Sequence, residues 1–186
     1  MTKLHKTLIA TAAALEMSAA GFAFAANPMV GGGEMFPEKN IVENAVNSKD
    51  HTTLVAAVQA AGLVETLQGA GPFTVFAPTN EAFAALPAGT VEMLLRPENK
   101  DKLVKILTCH VVAAEAFSQT IAKMVDDDQG KHPVKTVGGC TFTAMVEGGK
   151  VMIADENGAV ANVTIADVDQ SNGVIHVIDR VLLPKM

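Results

Sequence analysis

The sequence predicts an α+β domain, and three observations carry that reading. Apolar residues recur at helical spacing through the first half of the chain. After Pro133 the period changes to that of strands. Gly-Gly and Asn-Gly pairs then separate each apolar run from the next. Helices gathered before an antiparallel meander are the mark of the α+β class.

The first element is a leader. Lys3 and Lys6 make a positive start, Leu8 to Leu15 form a short apolar stretch, and Ala23-Phe24-Ala25 has the small-x-small form of a cleavage site. Glu16 interrupts an otherwise ordinary signal peptide over residues 1–25. The mature chain then starts at Ala26, exported to the periplasm or secreted to the extracellular space. No later stretch approaches the roughly 18 apolar residues of a membrane span. Residues 26–38, with Asn27-Pro28-Met29-Val30-Gly31-Gly32-Gly33, read as a Gly-rich flexible linker. The folded domain is expected over 39–185.

Ile41, Val42, Ala45 and Val46 recur at helical spacing. Thr52 or Thr53 is the expected cap of a second helix with Leu54, Val55, Val58 and Ala61 on one face, closed by Gly62. Leu63 to Leu67 adds one turn. Phe73-Thr74-Val75-Phe76-Ala77, bounded by Pro72 and Pro78, is a strand. Thr79 or Asn80 caps the next helix, where Glu81 complements the dipole and Phe83 and Leu86 point inward. Further helices are expected around Val91 to Leu95, Asn99 to Leu107 and Ser118 to Val125, with a short strand at His110-Val111-Val112.

Strands follow at Val134 to Val137, Cys140 to Val146, Val151 to Ala154, Val160 to Asp169 and Val174 to Leu183. The turns between them are Gly138-Gly139, Gly148-Gly149, Asn157-Gly158 and Asn172-Gly173. Asn-Gly suits hairpin turns because both central residues need positive φ.

Composition narrows the function. Hydrophobic residues make up 49% of 186, with no Tyr or Trp, so the core is aliphatic with Phe as its only aromatic. Loss of the leader removes Lys3, Lys6 and Glu16, leaving 12 basic and 19 acidic side chains and a net charge of −7. Such a charge repels phosphate backbones, so nucleic acid is not an expected partner. Cys109 and Cys140 form an even pair that invites a disulfide in an exported protein. Two buried thiols packed as small apolar residues are the alternative.

Two segments carry a family signature. Thr74-Val75-Phe76-Ala77-Pro78-Thr79-Asn80-Glu81-Ala82-Phe83 resembles the first fasciclin box. Gly173-Val174-Ile175-His176-Val177-Ile178-Asp179-Arg180-Val181-Leu182-Leu183-Pro184 is similar to the second. The helical entry Thr53 to Val58 and the box spacing also fit, and the resemblance covers residues 39 to 185. It implies a wedge-shaped β-sandwich with helices packed around it, and a role in cell adhesion or cell-surface and matrix contact without catalysis. The family's usual Tyr-His pair is here Cys109-His110, so the integrin recognition tied to that region in animal members is not carried over. The stretch from Ala113 to His132 is longer and more helical than the family's loop, with Asp126-Asp127-Asp128 as an exposed tip.

His176 alternates with Ile175 and Val177, so it faces away from them, and a buried imidazole needs partners. Thr79, Asn80 and Asp179 are the expected ones, making with His176 a structural polar clasp between the boxes. No catalytic residue is expected. Ser48, Ser118 and Ser171 lie in no nucleophile-elbow pattern. On a strand, Cys109 and His110 would point to opposite faces. The five His are scattered, without His-Glu-x-x-His or a Cys/His cluster. Asp167 to Gly173 begins like a calcium loop, but its Gly stands late and Ile178 takes the place of the twelfth-position Glu. Asn162-Val163-Thr164 matches a glycosylation acceptor inside a strand. Gly31-Gly32-Gly33 lacks the context and Lys of a phosphate loop.

The sequence thus reads as an exported, non-enzymatic fasciclin-type protein without a cofactor. Its expected partner is a cell-surface or matrix component (protein, carbohydrate or lipid) or a second copy of itself. The alternative is a periplasmic binding protein for a small apolar ligand or a soft metal, the latter held by Met29 and Met35 as thioether ligands.

Overall fold

The computed structural model describes residues 27–185, so the leader lies outside the described residues. The segment expected to be a flexible linker is instead packed. β1 (Met29–Val30) and β2 (Gly33–Glu34) form an antiparallel pair, and Val30 and Met35 are buried in the core. Gly31 and Gly32 both have positive φ, 57° and 74°, as a two-residue hairpin turn requires. A Cβ on Gly33 would stand 2.2 Å from the Asn47 carbonyl oxygen. The glycines are there for conformation and close approach, a use that composition does not separate from flexibility.

The helices follow the expected order. α1 (Ile41–Ala45) starts with a capping box: the Asn40 side chain accepts from the N–H groups of Val42 and Glu43, and Glu43 reaches back to Asn40 N. A 3-10 turn, Lys49–His51, runs directly into α2 (Thr52–Ala61). Neither Thr52 nor Thr53 caps α2. Asn80 Oδ1, distant in sequence, accepts from Thr53 N at 2.9 Å and does the capping work. Leu54, Ala57, Val58 and Ala61 face the core, and Gly62 closes the helix at φ 74°. α3 (Val64–Leu67), α4 (Asn80–Ala84), α5 (Thr90–Leu94) and α6 (Lys100–Cys109) complete the layer. α7 (Ser118–Asp127) stands apart, burying Ile121 and Val125, with Asp126 to Asp128 exposed.

The strands are β3 (Phe73–Pro78), β4 (Val111–Val112), β5 (His132–Lys135), β6 (Thr141–Glu147), β7 (Lys150–Ala154), β8 (Val160–Gln170) and β9 (Gly173–Ile178). They make one seven-stranded sheet in the order β4-β3-β9-β8-β7-β6-β5. β5 to β9 are the expected antiparallel meander. β3 joins it in parallel beside β9, from Phe73↔Gly173 to Pro78↔Ile178, so the two boxes are neighbouring strands. The eleven residues of β8 serve both halves, its start pairing with β7 and its end with β9. Register shifts between Val163 and Val168 bend it. The two layers expected of a sandwich are therefore one sheet turned on itself at β8. β9 is shorter than expected, because the chain leaves the ladder after Ile178.

Side chains leave the central β3–β9 pair toward two cores. Val75, Ala77, Ile175 and Val177 enter a helix-side core with Leu54, Val58, Leu103 and Leu107. Phe76 and Ile178 enter a sheet-side core with Ile121, Phe142, Ile153, Ala161 and Leu182. Every residue of β9 is buried, as expected of a parallel-paired strand covered on both faces.

Candidate functional site

The box residues do not make the expected clasp. Among His176, Thr79, Asn80 and Asp179 there is no hydrogen bond in the structure, because each points to a different region of the fold. Thr79 Oγ1 accepts from Ala82 N and caps α4. Asn80 accepts from Thr53 N and donates to the Lys49 carbonyl, fixing the start of α2. Asp179 accepts from the backbone and side-chain amides of Asn162 on β8, at 2.8 and 2.7 Å. Phe83 packs in the helix-side core, and Pro78 is buried at the end of β3.

His176 and Thr74 instead converge on a third segment. His176 Nε2 donates to the Ala116 carbonyl at 2.8 Å, while its Nδ1 accepts from Asp167 N at 3.3 Å. Thr74 Oγ1 donates to the Ala114 carbonyl at 2.6 Å and accepts from Ala116 N at 2.9 Å. The Asp167 carboxylate, at a β8 position with φ 58°, accepts from the backbone N and hydroxyl of Ser118. Residues of both boxes and the β8 bulge thus hold the chain between β4 and α7. Residues 113–115 of the held segment are exposed beside β4, an edge strand.

His110 is not in a strand. It is the residue closing α6, where Nδ1 donates to the Ile106 carbonyl and Nε2 accepts from Leu182 N, at 2.8 and 2.9 Å. Asp155 accepts from Leu183 N, so the tail of the second box is pinned at two successive residues. Cys109 and Cys140 are joined in a disulfide with Cα atoms 5.5 Å apart, fastening α6 to the start of β6. Its 31-residue separation corresponds to about 3–4 kcal/mol in the chain-entropy account.

Burial pushes the His110 pKa down to about 4, against the opposing effects of its bond to Ile106 and the charge of Asp155. Burial likewise lowers His176, opposed by the Ala116 bond and Asp167. Both rings are neutral at pH 7 and their tautomers are set by backbone partners. Each has both nitrogens engaged, an arrangement suited to fixing backbone rather than to moving a proton. Phe76 stacks on His176 with ring centroids 5.7 Å apart.

Sequence reasoning missed several of the ties. Asn172 accepts from Ile41 N and donates to the carbonyls of Leu67 and Gly69, though the sequence marks it only as a turn residue. Asn44 donates to Gln170 in the interior. No local pattern marks these amides, since their partners lie a hundred residues away. Of the two methionines expected as soft-metal ligands, Met35 is buried in the helix-side core while Met29 is 59% exposed. Among the described residues, no group of three or more His, Cys, Asp or Glu could hold a metal ion.

Known proteins resemble this chain over most of its length. The fasciclin domain model matches residues 49–184. The chain is 56% identical to Protein sll1483 of Synechocystis over 146 residues, covering 78% of this chain and 74% of that one. It is 38% identical to transforming growth factor-beta-induced protein ig-h3 of Sus scrofa, covering 70% of this chain but only 17% of that protein. The solved FAS1 domain pair of the insect cell adhesion molecule fasciclin I shares the fold, with a TM-score of 0.60 and 21% identity, over 78% of this chain and 51% of that one. The chain belongs to the fasciclin domain family.

Proposed function

We propose that this protein is an exported, non-enzymatic contact module that binds a cell-surface or matrix component. Its contact face includes residues 113–117. The observation that carries this reading is where the polar groups of the boxes and the β8 bulge go: Thr74, His176 and Asp167 all hold that segment in place. A short, largely exposed segment fixed by side chains of the fold is pre-organised, which lowers the ordering cost of binding. The names of relatives support the direction. One is called a cell surface glycolipoprotein, MPB83 of Mycobacterium bovis, 33% identical over 75% of this chain and 58% of that one. The solved structural neighbour is described as a cell adhesion molecule.

The chemistry present also favours binding over catalysis. Ser48 and His51 are hydrogen-bonded at 2.8 Å, but both are buried, the contact uses Nδ1, and no carboxylate holds the other ring nitrogen. That is not the triad arrangement, in which a carboxylate orients the base. Export fits the leader expected at residues 1–25. Among the described residues no helix is long and apolar enough to cross a membrane.

The test is binding of the purified protein to whole cells and to glycan and lipid arrays, with an Ala113→Arg/Glu115→Lys variant alongside. The reading expects binding to fall at least tenfold (about 1.4 kcal/mol) while the melting temperature holds. Equal binding by the variant would place the contact face elsewhere. Chemical turnover of an array component would overturn the non-enzymatic reading.

A further inference from the structure

The helix-side core is not closed. A cavity of about 110 Å³ lies between α1 to α3 and the sheet, with walls such as Val58, Val64, Phe73 and Ile175. An engineered apolar void of about 150 Å³ stays dry and takes up benzene or xenon, so this one has room for a short alkyl group. A shallower hollow of about 180 Å³ shares Ala45, Ser48, Val55 and Gln59 with it, and Val46 beside that hollow is 55% exposed. The shared residues stand between the two spaces.

His51 lines the same cavity and is 3% exposed. Its Nε2 is the one buried side-chain nitrogen or oxygen among the described residues without a hydrogen-bond partner. The Ala77 carbonyl lies close enough to favour a proton on the ring, but outside hydrogen-bond geometry. Buried polar groups are paired in the great majority of cases, so an unpaired one beside a void calls for a partner. The tautomer follows from Ser48. Its hydroxyl is buried and has only His51 Nδ1 as a partner, so it donates a hydrogen bond to Nδ1, and Nε2 carries the ring hydrogen.

We propose that this cavity binds a small, neutral, apolar molecule with one carbonyl oxygen (a ketone, aldehyde or ester), the alkyl group filling the void and the oxygen accepting from His51 Nε2. A carboxylate is disfavoured. No Lys or Arg lines the cavity, Asp50 adjoins the ring, and a buried charge without a counterion is costly. None of residues 113–117 lines the cavity, so the proposal stands independently of the surface-contact reading.

The test is a methyl-detected NMR titration of the purified protein with 2-pentanone and its alkene isostere, 2-methyl-1-pentene. Both should give saturable shifts at Val58 and Val64, and Ala45→Leu, which adds bulk to the cavity wall, should abolish them. His51→Phe should reduce the preference for ketone over alkene roughly tenfold, the loss of one hydrogen bond. On the unmutated protein, the imidazole nitrogen spectrum should show Nε2 protonated and shifting as ketone is added. That measurement decides the matter should His51→Phe not fold. Absence of saturable shifts, shifts that persist in Ala45→Leu, an unchanged ketone preference, or an Nε2 unmoved at saturating ketone would each overturn the proposal.

Discussion

Val75 and Phe76 are consecutive residues of β3, yet they enter cores of different character. Phe76 joins strands locked by ladder hydrogen bonds, by the Cys109–Cys140 disulfide and by α7, where Phe142, Ala144, Ile153 and Ala161 are fully buried. Val75 faces helices as short as the five residues of α1 and the four of α3, and these leave the 110 Å³ cavity and an unpaired His51 nitrogen. Side chains on adjacent strands are spaced by the ladder and interdigitate. Short helices arrive through separate loops, and their ends are where packing fails to close. One sheet can therefore keep a rigid face and a permissive one.

The sharpest way to break this comparison is to truncate the closed side. Phe142→Ala should cost about 3–5 kcal/mol, because a ladder-bound strand cannot collapse into the space. Denaturant unfolding measures it, and a loss near 1 kcal/mol would mean that this core is as loose as the other. Next in size is acid. The folded His110 pKa of about 4 lies below the 6.5 of a free imidazole, so between those values only the unfolded chain binds the proton. Stability is thus full above pH 6.5, declines as pH falls, and levels off near pH 4, a loss of about 3 kcal/mol from this ring. His176 and His51, also lowered by burial, act in the same direction. A melting temperature independent of pH across that window would contradict the neutral state assigned to these buried rings.

His176→Ala should cost about 1–3 kcal/mol, leaving the Ala116 carbonyl and Asp167 N unpaired. Faster amide exchange at residues 114–118 should accompany it, which sharpens the claim that this ring holds that segment. The smallest effects have opposite signs on the two sides of the sheet, and thermal unfolding reads both. Ala144→Val, overfilling the closed core, should cost at least about 1 kcal/mol. Val58→Ile, adding a methyl group beside the cavity, should stabilise by about 0.5–1 kcal/mol.

Much of this is legible before the fold is known. The meander is marked by its Gly-Gly and Asn-Gly turns, and the boxes by long motifs, because both signals are local. The parallel pairing of β3 with β9 spans a hundred residues, and only the family resemblance hints that the boxes meet. The expected clasp fails because a parallel register sets Phe76 beside His176, while Thr79 and Asn80 lie past the end of β3 among the helix starts. The ring's true partners are backbone groups, which leave no trace in side-chain patterning. Residues 29–35 mislead for a related reason. Glycine required by a tight hairpin and glycine in a flexible tether look alike until Val30 and Met35 are seen to be buried.

Xenon placed in a crystal under pressure tests the unequal cores most directly, since it reports any apolar space large enough to admit it. The account predicts xenon between α1, α2 and the sheet, against Val58 and Ile175, and none around Phe142 and Ile153. Xenon in the Phe142 core, or in neither, would contradict it.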